Sequence, residues 1–78
     1  MRREVVLRTV IDYMNRYSGA NYDIYAELYE ESTTARDIIL RKVDNILTAW
    51  KMRAIWDRDT EALTEITKQQ NKLLWLFE

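Results

Sequence analysis

At 78 residues the chain is one domain, near the lower limit at which a single core is stable without disulfides, metals or oligomerisation. It contains neither cysteine nor histidine, which excludes disulfides, thiol nucleophiles and the usual zinc and haem ligands, so no metal and no cofactor is expected. Twelve basic residues against thirteen acidic ones leave a net charge of −1, which argues against a general polyanion binder and a DNA mimic alike.

With 47% hydrophobic and 32% charged residues, the composition is that of a folded chain rather than a disordered one. No apolar run approaches the roughly 18 residues needed to span a bilayer. The opening Met1-Arg2-Arg3-Glu4 leads into an amphipathic pattern, not a signal-peptide core. The expectation is a soluble, unprocessed cytoplasmic protein with no membrane partner.

Proline is absent and Gly19 is the only glycine, so helices joined by short polar breaks are favoured over strands, which need more turn residues. Over residues 2–17, Val6, Leu7, Val10, Ile11, Met14 and Tyr17 share one helical arc, with Glu4, Arg8, Asp12, Asn15 and Arg16 opposite. Gly19 can take the left-handed conformation that ends this helix, and Asn21 can cap the next.

A second helix over residues 22–31 places Tyr22, Ile24, Tyr25, Leu28 and Tyr29 on one arc and Asp23, Glu27, Glu30 and Glu31 on the other. Thr34 followed by Asp37 resembles a capping box for a third helix from about residue 35. Its stripe of Ile39, Val43, Ile46, Leu47 and Trp50 is the face expected to close a core with the first two helices.

Beyond it lies a second stripe, Met52, Ile55, Trp56, Leu63, Ile66, Leu73, Leu74 and Phe77, about 170° from the first on an uninterrupted helix. Two arrangements satisfy it. Asp57-Arg58-Asp59-Thr60 can break the chain into helices 35–56 and 60–76, with Asp59 or Thr60 as cap and Glu61 favourable in the first turn. Alternatively the third helix runs on to about residue 75, and its far half is covered by a second subunit. The fold class expected is all-α, a single domain over residues 1–78 forming a small bundle of three to four helices, with a long C-terminal dimerisation helix as the variant.

Catalytic chemistry has little to stand on. Asp57, Asp59 and Glu61 alternate like the start of a calcium loop, but the sixth position is Ala62 and the twelfth is Lys68, where glycine and glutamate are needed. One glycine cannot build a phosphate-cradling loop, and no acid–base pair stands out beyond ordinary helix-surface spacing. Arg8 with Asp12 and Asp37 with Arg41 have the spacing of surface ion pairs. No catalytic residue is expected.

The function expected is therefore a non-enzymatic protein–protein interaction module, an adaptor, regulator or stoichiometric inhibitor that also forms a homodimer. Its partner interface is the tyrosine and acidic surface of the second helix, Tyr22, Tyr25, Tyr29, Glu27, Glu30 and Glu31, with Tyr22 and Tyr29 the tyrosines nearest the edge of the arc. The identity of the protein partner is not encoded. The second stripe, from Met52 to Phe77, either self-associates or completes the core. The alternative is a small DNA-binding regulator of helix-turn-helix type using Thr34, Arg36, Arg41 and Lys42, with acidic residues on the supporting helix counting against it.

Overall fold

The computed structural model describes residues 2–77. Among them it contains four helices and no strand: α1 (Arg3–Ser18), α2 (Asp23–Glu31), α3 (Arg36–Trp56) and α4 (Thr60–Leu76). Each helix packs on two neighbours, α1 against α2 and α4, and α3 against α2 and α4. Bonds at the helix ends fix the directions. Arg3 at the start of α1 donates to the Leu76 carbonyl at the end of α4 (2.8 Å), and Gln70 of α4 donates to Asp44 (3.3 Å) and Thr48 (2.9 Å) of α3. The result is a small all-α bundle with antiparallel neighbours.

The core follows the period of the sequence in α1, where Val6, Leu7, Val10, Ile11 and Met14 are buried. Glu4 in the first turn and Arg16 in the last oppose the partial charges of the helix ends. Gly19, at φ 75°, closes the helix by donating its N–H to the Asn15 carbonyl (2.9 Å). Asn15 then ties the corner together: its side-chain oxygen accepts from the Tyr22 N–H (2.7 Å), and its amide donates to Asp23 (2.8 Å). Asn21 accepts from the Asp23 N–H (2.9 Å) in a local turn, one residue before the cap position, which Tyr22 holds without a side-chain cap bond.

The arc expected for α2 is rotated. Ala26 and Tyr29 point inward, Tyr22 and Tyr25 are partly buried beside them, and Ile24 and Leu28 face solvent. Two ties to α1 accompany this rotation, Asn15 to Asp23 and Arg8 to Glu30 (2.8 Å). Residues 23 and 30 lie on one line of the helix, so holding that line against α1 turns the 24/28 edge outward. Arg8 thus pairs across helices and not with Asp12.

At the next corner the expected capping box does not form. The residue preceding α3 is Ala35, with no side-chain cap, and the Thr34 hydroxyl is hydrogen-bonded to Ser32 (3.1 Å). Arg36 secures the corner instead, donating from Nε to the Tyr29 carbonyl (2.9 Å) with its guanidinium 4.6 Å from the Tyr29 ring centre. Ile39, Val43 and Leu47 are buried and Ile46 and Trp50 partly so, joined by Leu40 and Ala54.

One helix running from residue 35 to 75 does not occur. After Trp56 the Arg58 N–H bonds to the Ile55 carbonyl (3.2 Å) and the Asp59 N–H to the Ala54 carbonyl (2.9 Å), with Arg58 at φ 56°. These are the two bonds of a Schellman closure. Asp59 at once caps α4 by accepting from the Ala62 N–H (3.1 Å). Reversal in three residues folds Ile66, Leu73 and Leu76 into the core.

Two positions are less than optimal, and each gives a measurable change. Arg58 occupies a left-handed site where a side chain costs roughly 1–2 kcal/mol, partly offset in glycine by its freer unfolded chain. Arg58→Gly is expected to stabilise the fold by about 0.5–1 kcal/mol in a urea titration. Gln69 is 5% exposed and its side-chain oxygen is buried without a partner. Gln69→Leu keeps the volume and removes the orphan, so a gain of about 1–2 kcal/mol is expected in the same titration.

Candidate interaction surfaces

The five tyrosines mainly serve the fold. Rings of Tyr13 and Tyr17 stack at 5.7 Å, Tyr17 lies 5.1 Å from Trp50, Trp50 meets Tyr22 edge-on at 5.9 Å, and Tyr22 stacks on Tyr25 at 6.3 Å. This chain of rings closes one end of the bundle across α1, α2 and α3, adding attraction beyond simple burial. Burial, then the neighbouring Tyr17, Glu65 and Asp59, pushes the Tyr13 hydroxyl above its ordinary pKa.

Tyr29 is 1% exposed, which removes it from the expected partner interface. It belongs inside because Arg36 pins it there. Tyr22 and Tyr25 are half-covered, and Glu30 is engaged by Arg8, leaving Glu27 and Glu31 as the free acids of that set. The outer edge of α2 is thus Ile24, Glu27, Leu28 and Glu31, a short apolar strip bordered by negative charge. Ile24 and Leu28 were hidden in the sequence by their place on the tyrosine arc.

The second stripe divides. Ile66 and Leu73 are buried and Leu63 is partly so, whereas Met52, Ile55, Trp56, Leu74 and Phe77 are exposed. The inward positions around them are taken by Ala54, Ala62, Gln69 and Leu76, residues the apolar pattern passed over. Trp56 is 85% exposed, on the last turn of α3. Ile38, at the other end of that helix, is also exposed, outside both expected stripes.

The residues of the nucleic-acid alternative do not act together. Thr34 is bonded to Ser32, and Arg36 is held by Tyr29 with Glu4 3.8 Å away. Arg41 and Lys42 remain exposed on the outer side of α3. The alternating acids after Trp56 are likewise occupied in helix ends, Asp57 accepting from Arg53 (3.1 Å) and Asp59 capping α4. An open apolar cleft of about 340 Å³ between α1 and α4 is lined by Val6, Thr9, Lys72 and Trp75, and no acid–base pair converges there.

No family model, curated protein or solved structure matches this chain.

The bond from Arg8, and secondarily its charge, holds the Glu30 carboxyl below the ordinary glutamate range, and the same bond raises Arg8. The pair's contribution is therefore present above the unfolded glutamate pKa and is lost as pH falls through the lower folded value. Both groups are exposed, so the effect on the melting midpoint is expected to be slight. A pH titration followed by NMR is expected to show Glu30 titrating below the ordinary glutamate range, and Arg8→Met to return it to that range.

Proposed function

We infer that the chain is a non-enzymatic contact protein, an adaptor, regulator or stoichiometric inhibitor that works by covering or bridging a protein surface. The observation that carries this reading is the number of large apolar side chains facing outward from a bundle whose core is already closed. Ile24 and Leu28 on α2, and Ile38, Met52 and Trp56 on α3, keep 40–85% of their surface exposed. Contiguous patches of this kind are rare on monomers and mark contact sites.

Two faces divide the work in this reading. The α2 edge meets a heterologous partner, with Ile24 and Leu28 as anchors and Glu27 and Glu31 steering a basic surface toward them. The α3 face serves self-association. No helix of the described residues is long and apolar enough to cross a membrane, and the cytoplasm is the compartment assumed. Its lack of cysteine suits a reducing setting.

The exposed pair Arg41 and Lys42 is the observation on the side of DNA, but with Arg36 committed to Tyr29 it is a small charge set for a phosphate track.

The test compares partner capture by the tagged protein with that by a Glu27→Lys/Leu28→Asp/Glu31→Lys variant, sparing Glu30 because it ties α2 to α1. Loss of a specific bound protein, with helicity and melting unchanged, is expected. Equal capture by the folded variant defeats the assignment. In a parallel titration with duplex DNA at low salt no binding is expected; binding that fades steeply with salt transfers the role to Arg41 and Lys42.

A further inference from the structure

The outer side of α3 carries a strip of exposed residues that runs the length of the helix, away from its buried face. Ile38, Lys42, Asn45, Ala49, Met52 and Trp56 follow one another at alternating intervals of four and three, and all six are exposed. The six fall within one narrow strip, so a single helix running along α3 would meet all of them. Within the bundle no helix lies there, because α2 and α4 occupy the flanks of α3. We propose that this face binds a second copy of itself, α3 against α3 in antiparallel orientation, so that the Trp56 end of each copy lies across the Ile38 end of the other. The proposal rests on reading the chain as a contact protein, and names the occupant of one face.

Orientation follows from the six residues. A two-fold axis near residue 47 sets Trp56 opposite Ile38, Met52 opposite Lys42 and Asn45 opposite Ala49. Small residues meet at the centre, where the helices approach closest, and large ones pair at the ends. Lys42 lays its aliphatic stem along Met52 and keeps its ammonium in water. Running the helices parallel would instead stack Lys42 on Lys42 in the seam, placing like charges together.

The flank toward α4 reinforces the match. Gln70 reaches Asp44 and Thr48, so Leu74, one turn further along α4, lies toward the Ile38 half of the face, about level with Lys42, and it is exposed. At the opposite end Ile55 is exposed next to Trp56. Each protomer therefore offers two apolar clusters, Ile38 with Leu74 and Met52 with Ile55 and Trp56, separated by Asn45 and Thr48. An isologous contact places each cluster on its complement in the partner, twice.

The area is sufficient. Ile38, Met52, Ile55, Trp56 and Leu74 are 58%, 61%, 49%, 85% and 58% exposed. At roughly 200 Å² per large side chain this leaves about 600 Å² of apolar surface per copy. A standard interface takes about 800 Å² from each partner, and the seam's polar members supply the remainder.

Light scattering at rising concentration is expected to give twice the 9.5 kDa chain mass for the wild type. A Met52→Glu/Trp56→Glu variant is expected to remain helical and to dimerise at least about tenfold more weakly. The α2 variant described above is expected to keep the dimer, so failed partner capture and failed dimerisation are separate readings. Because the chain has no cysteine, single cysteines report orientation. Asn45→Cys mixed with Ala49→Cys is expected to give the mixed disulfide on oxidation. Self-crosslinking of each variant in preference to the mixed product overturns the antiparallel arrangement. A wild type that stays monomeric up to millimolar concentration overturns the proposal, as does a dimer unaffected by Met52→Glu/Trp56→Glu. So does a monomer that binds vesicles of phosphatidylcholine and phosphatidylglycerol with a blue shift of tryptophan emission, which would give the face to lipid.

Discussion

Helix α3 has to stop at Trp56 for the rest of the molecule to exist as it does. Had the chain continued, Ile66, Leu73 and Leu76 would project some 15–30 Å beyond the bundle, at 1.5 Å per residue, with nothing to cover them. The Schellman bonds at Arg58 and Asp59 and the cap from Asp59 to Ala62 reverse the chain within three residues. They do so at a backbone cost, since Arg58 takes a conformation that suits glycine. The return of α4 gives α1 its second neighbour and closes the core that α1, α2 and α3 leave open on one side.

Polar ties then decide how the other helices are turned. Asn15 and Arg8 hold the Asp23–Glu30 line of α2 against α1, and Arg36 locks Tyr29 beneath the start of α3. None of these contacts is individually strong at a surface. Their consequence lies in selection, because a nine-residue helix with tyrosines, leucine and isoleucine around most of its circumference could bury several different faces. The face that goes with these ties buries Ala26 and Tyr29 and leaves Ile24 and Leu28 outside.

This explains which parts of the structure are readable from the residues. Helices α1 and α3 announce themselves through apolar spacing, and Gly19, Asp57 and Asp59 mark candidate corners, since period and capping are local properties, but the residues alone allow either a break at 57–60 or one long last helix. The rotation of α2 is not local: it depends on Arg8 and Asn15, residues that from the sequence alone look like members of a solvated face. Arg36 shows the same limit, a basic residue at a helix start that suggests a phosphate but is spent on a tyrosine carbonyl and ring. Residues Met52 to Phe77 were legible as apolar and illegible as inside or outside, because their division depends on where α4 lands. The buried Ala54, Ala62 and Gln69 carry too little apolar character to be found by pattern.

The pairing of helices in a ring has a consequence for how the chain assembles. Three of its four contacts, α1 with α2, α2 with α3 and α3 with α4, join elements adjacent in sequence and need only short loops to close. The contact between α4 and α1 alone spans the chain, and its formation carries the loop-closure entropy of the whole bundle. The orphaned Gln69 lies on α4 between Glu65, beside Tyr13, and Lys72, beside Val6, so it falls along that same seam. The contact with the largest loop to close and the one unsatisfied buried side-chain atom among the described residues therefore coincide at the α1/α4 seam.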